Sequence, residues 1–105
     1  MSRTELKEHL TFMLPKTQAT LSTQEFIDYV ISACGGGTLF KNAYGYWINP
    51  NNVIVDEPVK MLDVYCENPN IEDLEYTFLL WGKRADQHSV AYTHNGTMII
   101  LGVNA

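Results

Sequence analysis

The chain has 105 residues, with 12 Asp and Glu against 7 Lys and Arg, a formal net charge of −5 and 46% hydrophobic residues. That length holds one domain, and the apolar content argues against disorder. The acidity argues against a nucleic-acid-binding surface, though it leaves room for a local basic patch facing a small anion.

No apolar run reaches membrane-spanning length, and the start MSRTELKEHL has no secretory core. Cys34 and Cys66 are too few for a disulfide scaffold or for a zinc site on their own. The chain therefore reads as cytosolic, with both cysteines expected as reduced thiols.

Leu10, Phe12 and Leu14 alternate with His9, Thr11 and Met13, which predicts a strand over Leu6–Leu14 that stops at Pro15. After the polar tract Lys16–Thr20, Ser22 and Glu25 form a capping box, with Leu21 and Phe26 placed as a hydrophobic staple. Phe26, Ile27, Val30, Ile31 and Cys34 then recur at helical spacing until Gly35 stops the helix. Thr38–Ile48 is rich in aromatic and β-favouring residues, and Asn49-Pro50-Asn51-Asn52 turns the chain into Val53–Val55 and a strand over Val59–Cys66. The two arms around this turn are expected to form a long antiparallel hairpin.

Asn70 caps a second helix whose apolar stripe is Ile71, Leu74, Phe78, Trp81 and Ala85. Its acids come first and Lys83 and Arg84 last, as the helix dipole favours. Ser89–Thr93 and Thr97–Leu101 flank Asn95-Gly96, a strong hairpin signal. The order β-α-β-β-α-β-β implies an α+β fold, two helices on one face of a mostly antiparallel sheet. The arrangement is ferredoxin-like with one extra strand, and its second face is left open for a ligand or another copy.

No catalytic motif is present. Gly35-Gly36-Gly37 could cradle a phosphate but follows a helix rather than preceding one, so it reads equally as a helix stop. His9, His88 and His94 show no metal-ligand spacing, and no metal site is expected. Asp56 and Glu57 read as turn or edge charges pointing to opposite faces. The aromatic run is more informative. Phe40, Tyr44 and Tyr46 would share a face if Gly45 introduces no bulge, with Trp47 beside them, and stacked aromatics suit a base or a similar ring. They suit a core or a subunit contact as well. In the polar stretch Lys83–Ser89, Arg84 could fork onto a phosphate, with Gln87, His88 and Ser89 as further donors, or could simply serve the helix end.

Glu57-Pro58-Val59 in a strand, Gln87-His88-Ser89-Val90-Ala91 in another, and the Asn95-Gly96-Thr97 hairpin follow one another in an order that resembles small phage sponge proteins of the anti-Thoeris type. It also resembles uncharacterised bacterial α/β domains. The resemblance spans residues 5–102 and implies two helices on an antiparallel sheet, a homo-oligomer, and a cyclic ADP-ribose-like ligand held without turnover. The chain departs from that family in having few basic residues. It implies a protein of the host cytoplasm with no cofactor and no nucleic-acid or membrane partner.

The expectation drawn from residues and resemblance together is a non-enzymatic, anti-defence binding protein. Its small nucleotide-derived ligand would meet Phe40, Tyr44, Tyr46, Trp47, Arg84, Gln87 and Ser89. The alternatives are a small enzyme using His88 or His94 as acid or base, and an inhibitor acting through protein contacts.

Overall fold

A computed structural model describes residues 1–104. Its elements are β1 (Glu8–Pro15), α1 (Thr20–Cys34), β2 (Thr38–Ile48), β3 (Ile54–Cys66), α2 (Ile71–Arg84), β4 (Ser89–His94) and β5 (Thr97–Gly102). The five strands form one sheet in the order β2-β3-β1-β4-β5, with every neighbouring pair antiparallel. This is the expected α+β arrangement. β1 and β2 run the same way with β3 between them, and β5 extends the edge beyond β4.

Alternation along β1 sends Leu10, Phe12 and Leu14 to the helix side, where all three are fully buried. Phe12 meets Phe26 of α1 edge-on at 5.3 Å and Phe78 of α2 at 5.0 Å, and stacks on Tyr92 of β4. One ring thereby ties both helices to the sheet. Each such buried side chain contributes about 1.5–3 kcal/mol. The buried indole of Trp81 donates Nε1–H to Thr23 Oγ1 at 2.9 Å, so the polar atom inside this cluster has a partner.

The helix ends differ from each other. Asn70 caps α2 as expected, its Oδ1 accepting from the Asp73 N–H at 3.2 Å. The capping box at Ser22 does not form. α1 begins three residues earlier, with Ala19 at the cap position and no side-chain cap. The Ala19 carbonyl accepts from both the Thr23 N–H and the Thr23 hydroxyl, which draws the first turn back to Thr20. Gly35 ends α1 at φ 89°, and Asn95 and Gly96, both at positive φ, make the tight β4–β5 turn.

Two expectations are corrected. Cys34 and Cys66 are not free thiols. They form a disulfide, because the end of α1 and the end of β3 bring their Cα atoms to 4.7 Å. Nor do Phe40, Tyr44 and Tyr46 share a face. The β2–β3 register shifts between Phe40 and Ala43, so Lys41 and Asn42 form a bulge. Beyond it, Tyr44 and Tyr46 lie on the face opposite to Phe40, and Trp47 joins Phe40.

β3 pairs with β1 only from Val59 to Cys66, so Tyr44–Ile48 and Ile54–Pro58 continue as a two-stranded arm. The molecule is 55 Å long and 27 × 25 Å across. Tyr46, Ile48 and Ile54 on the arm are 65–70% exposed.

Candidate functional site

β1 stops at Pro15, while β3 runs on toward Ile54 and β4 begins at Ser89 across the gap. The early stop of the central strand leaves a notch on the open face of the sheet. The arm walls it on one side and the Asp86–Ser89 segment on the other. Its volume is about 540 Å³, within the range of small-molecule sites. Met13, Ala91, Met98 and Ile100 give it an apolar floor, and Trp47 and Glu57 stand on the arm side.

Glu57 owes its place to strand alternation. Val55, Glu57 and Val59 point the same way, which puts one carboxylate into an otherwise apolar stripe. Gly45 lies directly opposite Glu57 in the register, and Trp47 is one step farther along β2, opposite Val55. Burial among these neighbours pushes the Glu57 carboxyl above its ordinary value. Across the notch, the 86–89 segment is held by its backbone. Gln87 N–H donates to the Gly82 carbonyl and Val103 N–H to the His88 carbonyl, both at 2.9 Å, and Asp86 takes a left-handed φ of 57°. The Gln87 side chain donates to the Ala85 carbonyl at 3.1 Å.

Of the residues expected from the sequence, Trp47, Gln87 and Ser89 line the cleft, with His88 beside them, and Tyr46 borders it between Gly45 and Trp47 although strand alternation sends its side chain to the other face. Phe40, Tyr44 and Arg84 lie outside it. Arg84 is on the helix side, with Nη1 3.7 Å from Glu25 Oε2. His94 is remote as well, its Nε2 2.8 Å from Glu8 Oε2. That ring and the Asn95 amide hold the Glu8 carboxyl below its ordinary value. Glu57 is the residue that sequence reading missed, and the acid flanked by two valines at i±2 is the signal that marks it. Among the described residues, the cleft lining contains Glu57 and Asp86 and no Lys or Arg. That lining offers a diphosphate neither Lys nor Arg.

A second polar group lies on the same face, away from the cleft. His9 Nε2–H and the Thr11 hydroxyl both donate to Asp63 Oδ1, the latter at 2.7 Å, and the His9 ring stacks on Tyr65 at 4.2 Å. Burial raises the Asp63 carboxyl, but Thr11 and His9 together outweigh it and hold the group below its ordinary value. These contacts tie β1 to β3.

No protein-family model and no curated protein sequence matches the chain. Two solved structures share its fold over nearly its whole length. A phage SAM lyase in complex with S-methyl-5'-thioadenosine superposes with a TM-score of 0.65 at 9% identity, covering 97% of this chain and 95% of that one. A phage SAM lyase in the apo state gives 0.58 at 11% identity, covering 97% and 94%. Both neighbours are phage proteins, and neither is a sponge of the anti-Thoeris type. Both neighbours are enzymes, which overturns the expectation of a non-enzymatic sequestering protein in favour of the enzyme alternative. Among the described residues, no helix is long and apolar enough to cross a membrane.

Proposed function

We propose that the chain is a lyase acting on a sulfonium nucleoside of the S-adenosylmethionine class, bound in the notch beyond β1. The observation that carries this reading is the cleft itself. It is an apolar bed with carboxylates and no Lys or Arg among the described lining residues, on a chain of net charge −5. A phosphate-bearing ligand would meet two carboxylates there and no Lys or Arg, while a cation with an apolar ring gains both attraction and burial. The phage SAM lyase with the same fold holds a methylthio nucleoside, the half of such a substrate that remains once its carbon–sulfur bond is broken.

The adenosine half rests on Met13, Ala91, Met98 and Ile100, and the positive half faces Glu57 and Trp47. The sulfonium S–Cγ bond breaks, and its electron pair stays on sulfur to give the neutral thioether. The substrate's own carboxylate oxygen bonds to Cγ and closes a lactone, so the step consumes no water and needs no base. A carboxylate and a sulfonium cancel each other in this step. Apolar walls favour it, because they solvate the opposed carboxylate and sulfonium poorly and favour the products, in which that pair is gone and only the lactone's ammonium charge remains. Holding the chain folded back on itself supplies the proximity.

The test is incubation with S-adenosylmethionine, followed by mass spectrometry of the products. The expected result is S-methyl-5'-thioadenosine with homoserine lactone in equal amount. Intact S-adenosylmethionine after prolonged incubation at micromolar protein would refute the reading. Equal release of thioether with 2-aminobut-3-enoate would keep the lyase and replace ring closure by elimination.

A further inference from the structure

We infer that Gly45 is the residue that admits the charged amino-acid chain of the substrate, a reading that rests on the cleft function proposed above. The ordinary reasons for a glycine are missing at this position. Gly45 is not among the residues of positive φ. A Cβ built on it would meet only Val59 Cγ1, at 3.5 Å, an ordinary contact. Neither backbone conformation nor packing therefore requires glycine, and a strand interior disfavours it. What the missing side chain provides is space on the open face, inside the cleft.

That space has a defined frame. Glu57 is directly across from Gly45 on β3, and Trp47 is the next residue of β2 on the same face. Cross-strand and diagonal neighbours of this kind stand roughly 5–8 Å apart at Cβ, which leaves a slot about as thick as an alkyl chain when the position between them carries no side chain. An indole face and a carboxylate on two sides of such a slot select a cation. The apolar floor that suits the ring is elsewhere, on β1, β4 and β5. Gly45 thus separates substrate, which has the chain, from the thioether product, which lacks it.

The experiment compares two probes by calorimetry on the parent, Gly45→Ala and Gly45→Val. One probe is S-methyl-5'-thioadenosine. The other is sinefungin, which has the amino-acid chain and an ammonium-bearing carbon in place of the sulfonium, and so cannot lose a thioether. Gly45→Val should weaken sinefungin about tenfold or more and leave the thioether within about threefold, with Gly45→Ala in between. The thermal midpoint should hold or rise, since both substitutions restrict the unfolded chain and Val favours strands. Gly45→Ala, whose Cβ meets only ordinary contact, keeps the test decisive if the valine variant folds poorly. Equal loss of both probes, or of neither, overturns the slot while leaving the cleft function standing. Failure of the parent to bind either probe overturns the cleft function and the slot with it.

Discussion

Replacing Glu57 with Gln keeps the shape of the cleft and removes its most buried charge, and the two halves of the proposed substrate should feel this differently. Across ~5 Å, with an effective dielectric of ~20–40 for a half-open cleft, a carboxylate attracts a unit cation by about 1.5–3 kcal/mol. That corresponds to a loss of about ten- to a hundredfold in affinity for sinefungin. The neutral S-methyl-5'-thioadenosine should change little. Calorimetry of both ligands against parent and variant gives the ratio. The pH dependence has a definite sign. Burial raises the Glu57 carboxyl, so the parent should lose its advantage for the cation as pH falls through that raised value, earlier than an ordinary carboxylate would, while Glu57→Gln stays flat. Stability runs the other way. The fold disfavours charged Glu57, so the penalty is absent at low pH and appears as pH rises through the raised value, and the variant should be no less stable than the parent at neutral pH. Parallel weakening of both ligands, or no change in either, would refute an electrostatic role for Glu57.

Other consequences of the structure can be checked separately. Thr23→Val leaves the buried Trp81 indole N–H without its acceptor and should cost about 1–3 kcal/mol in urea unfolding, against a near-neutral result if water reaches the ring. The Cys34–Cys66 disulfide, with a sequence separation of 32, should add about 2–4 kcal/mol by restricting the unfolded chain. Unfolding with and without reductant measures that gain, and alkylation of native protein followed by mass analysis would expose free thiols if the bond is absent. The arm should mediate self-association, because a two-stranded ribbon with Ile48 and Ile54 at 65% and 70% exposure is poorly stable alone in water. Sedimentation should find a homo-oligomer that the Ile48→Lys, Ile54→Lys double variant dissociates, and a parent that sediments as a monomer would end that proposal.

The architecture was legible because it rests on local signals. Period-two alternation in Leu10–Leu14, the apolar stripe from Ile71 to Ala85, the Asn70 cap and the Asn95-Gly96 turn each act over a few residues, and all of them hold. The failures involve pairing across the sheet. The bulge at Lys41 and Asn42 depends on how β2 meets β3, and nothing in the run Thr38–Ile48 announces it. It reverses the facing of every aromatic beyond it, which separates Phe40 from Tyr44 and Tyr46. The disulfide likewise depends on where the end of α1 lands relative to β3. The capping box failed for a local reason instead, because one carbonyl, that of Ala19, serves both donors of Thr23.

Charge shows how the same information led to two ligand classes. A cyclic ADP-ribose-like ligand needs cations, and the sequence has few basic residues to offer it, Arg84 among them. The fold sends Arg84 to Glu25 on the helix side and leaves the cleft lined by Glu57 and Asp86. Under the proposed function, acidity is the selecting property. An anion entering this cleft would lose its hydration and meet carboxylates, while a sulfonium would exchange water for a carboxylate and an indole face. The sign of the site follows from the alternation Val55-Glu57-Val59, and its size from the point at which Pro15 ends the central strand. Both features stand in the sequence, but only the strand order β2-β3-β1-β4-β5 brings them to the same notch.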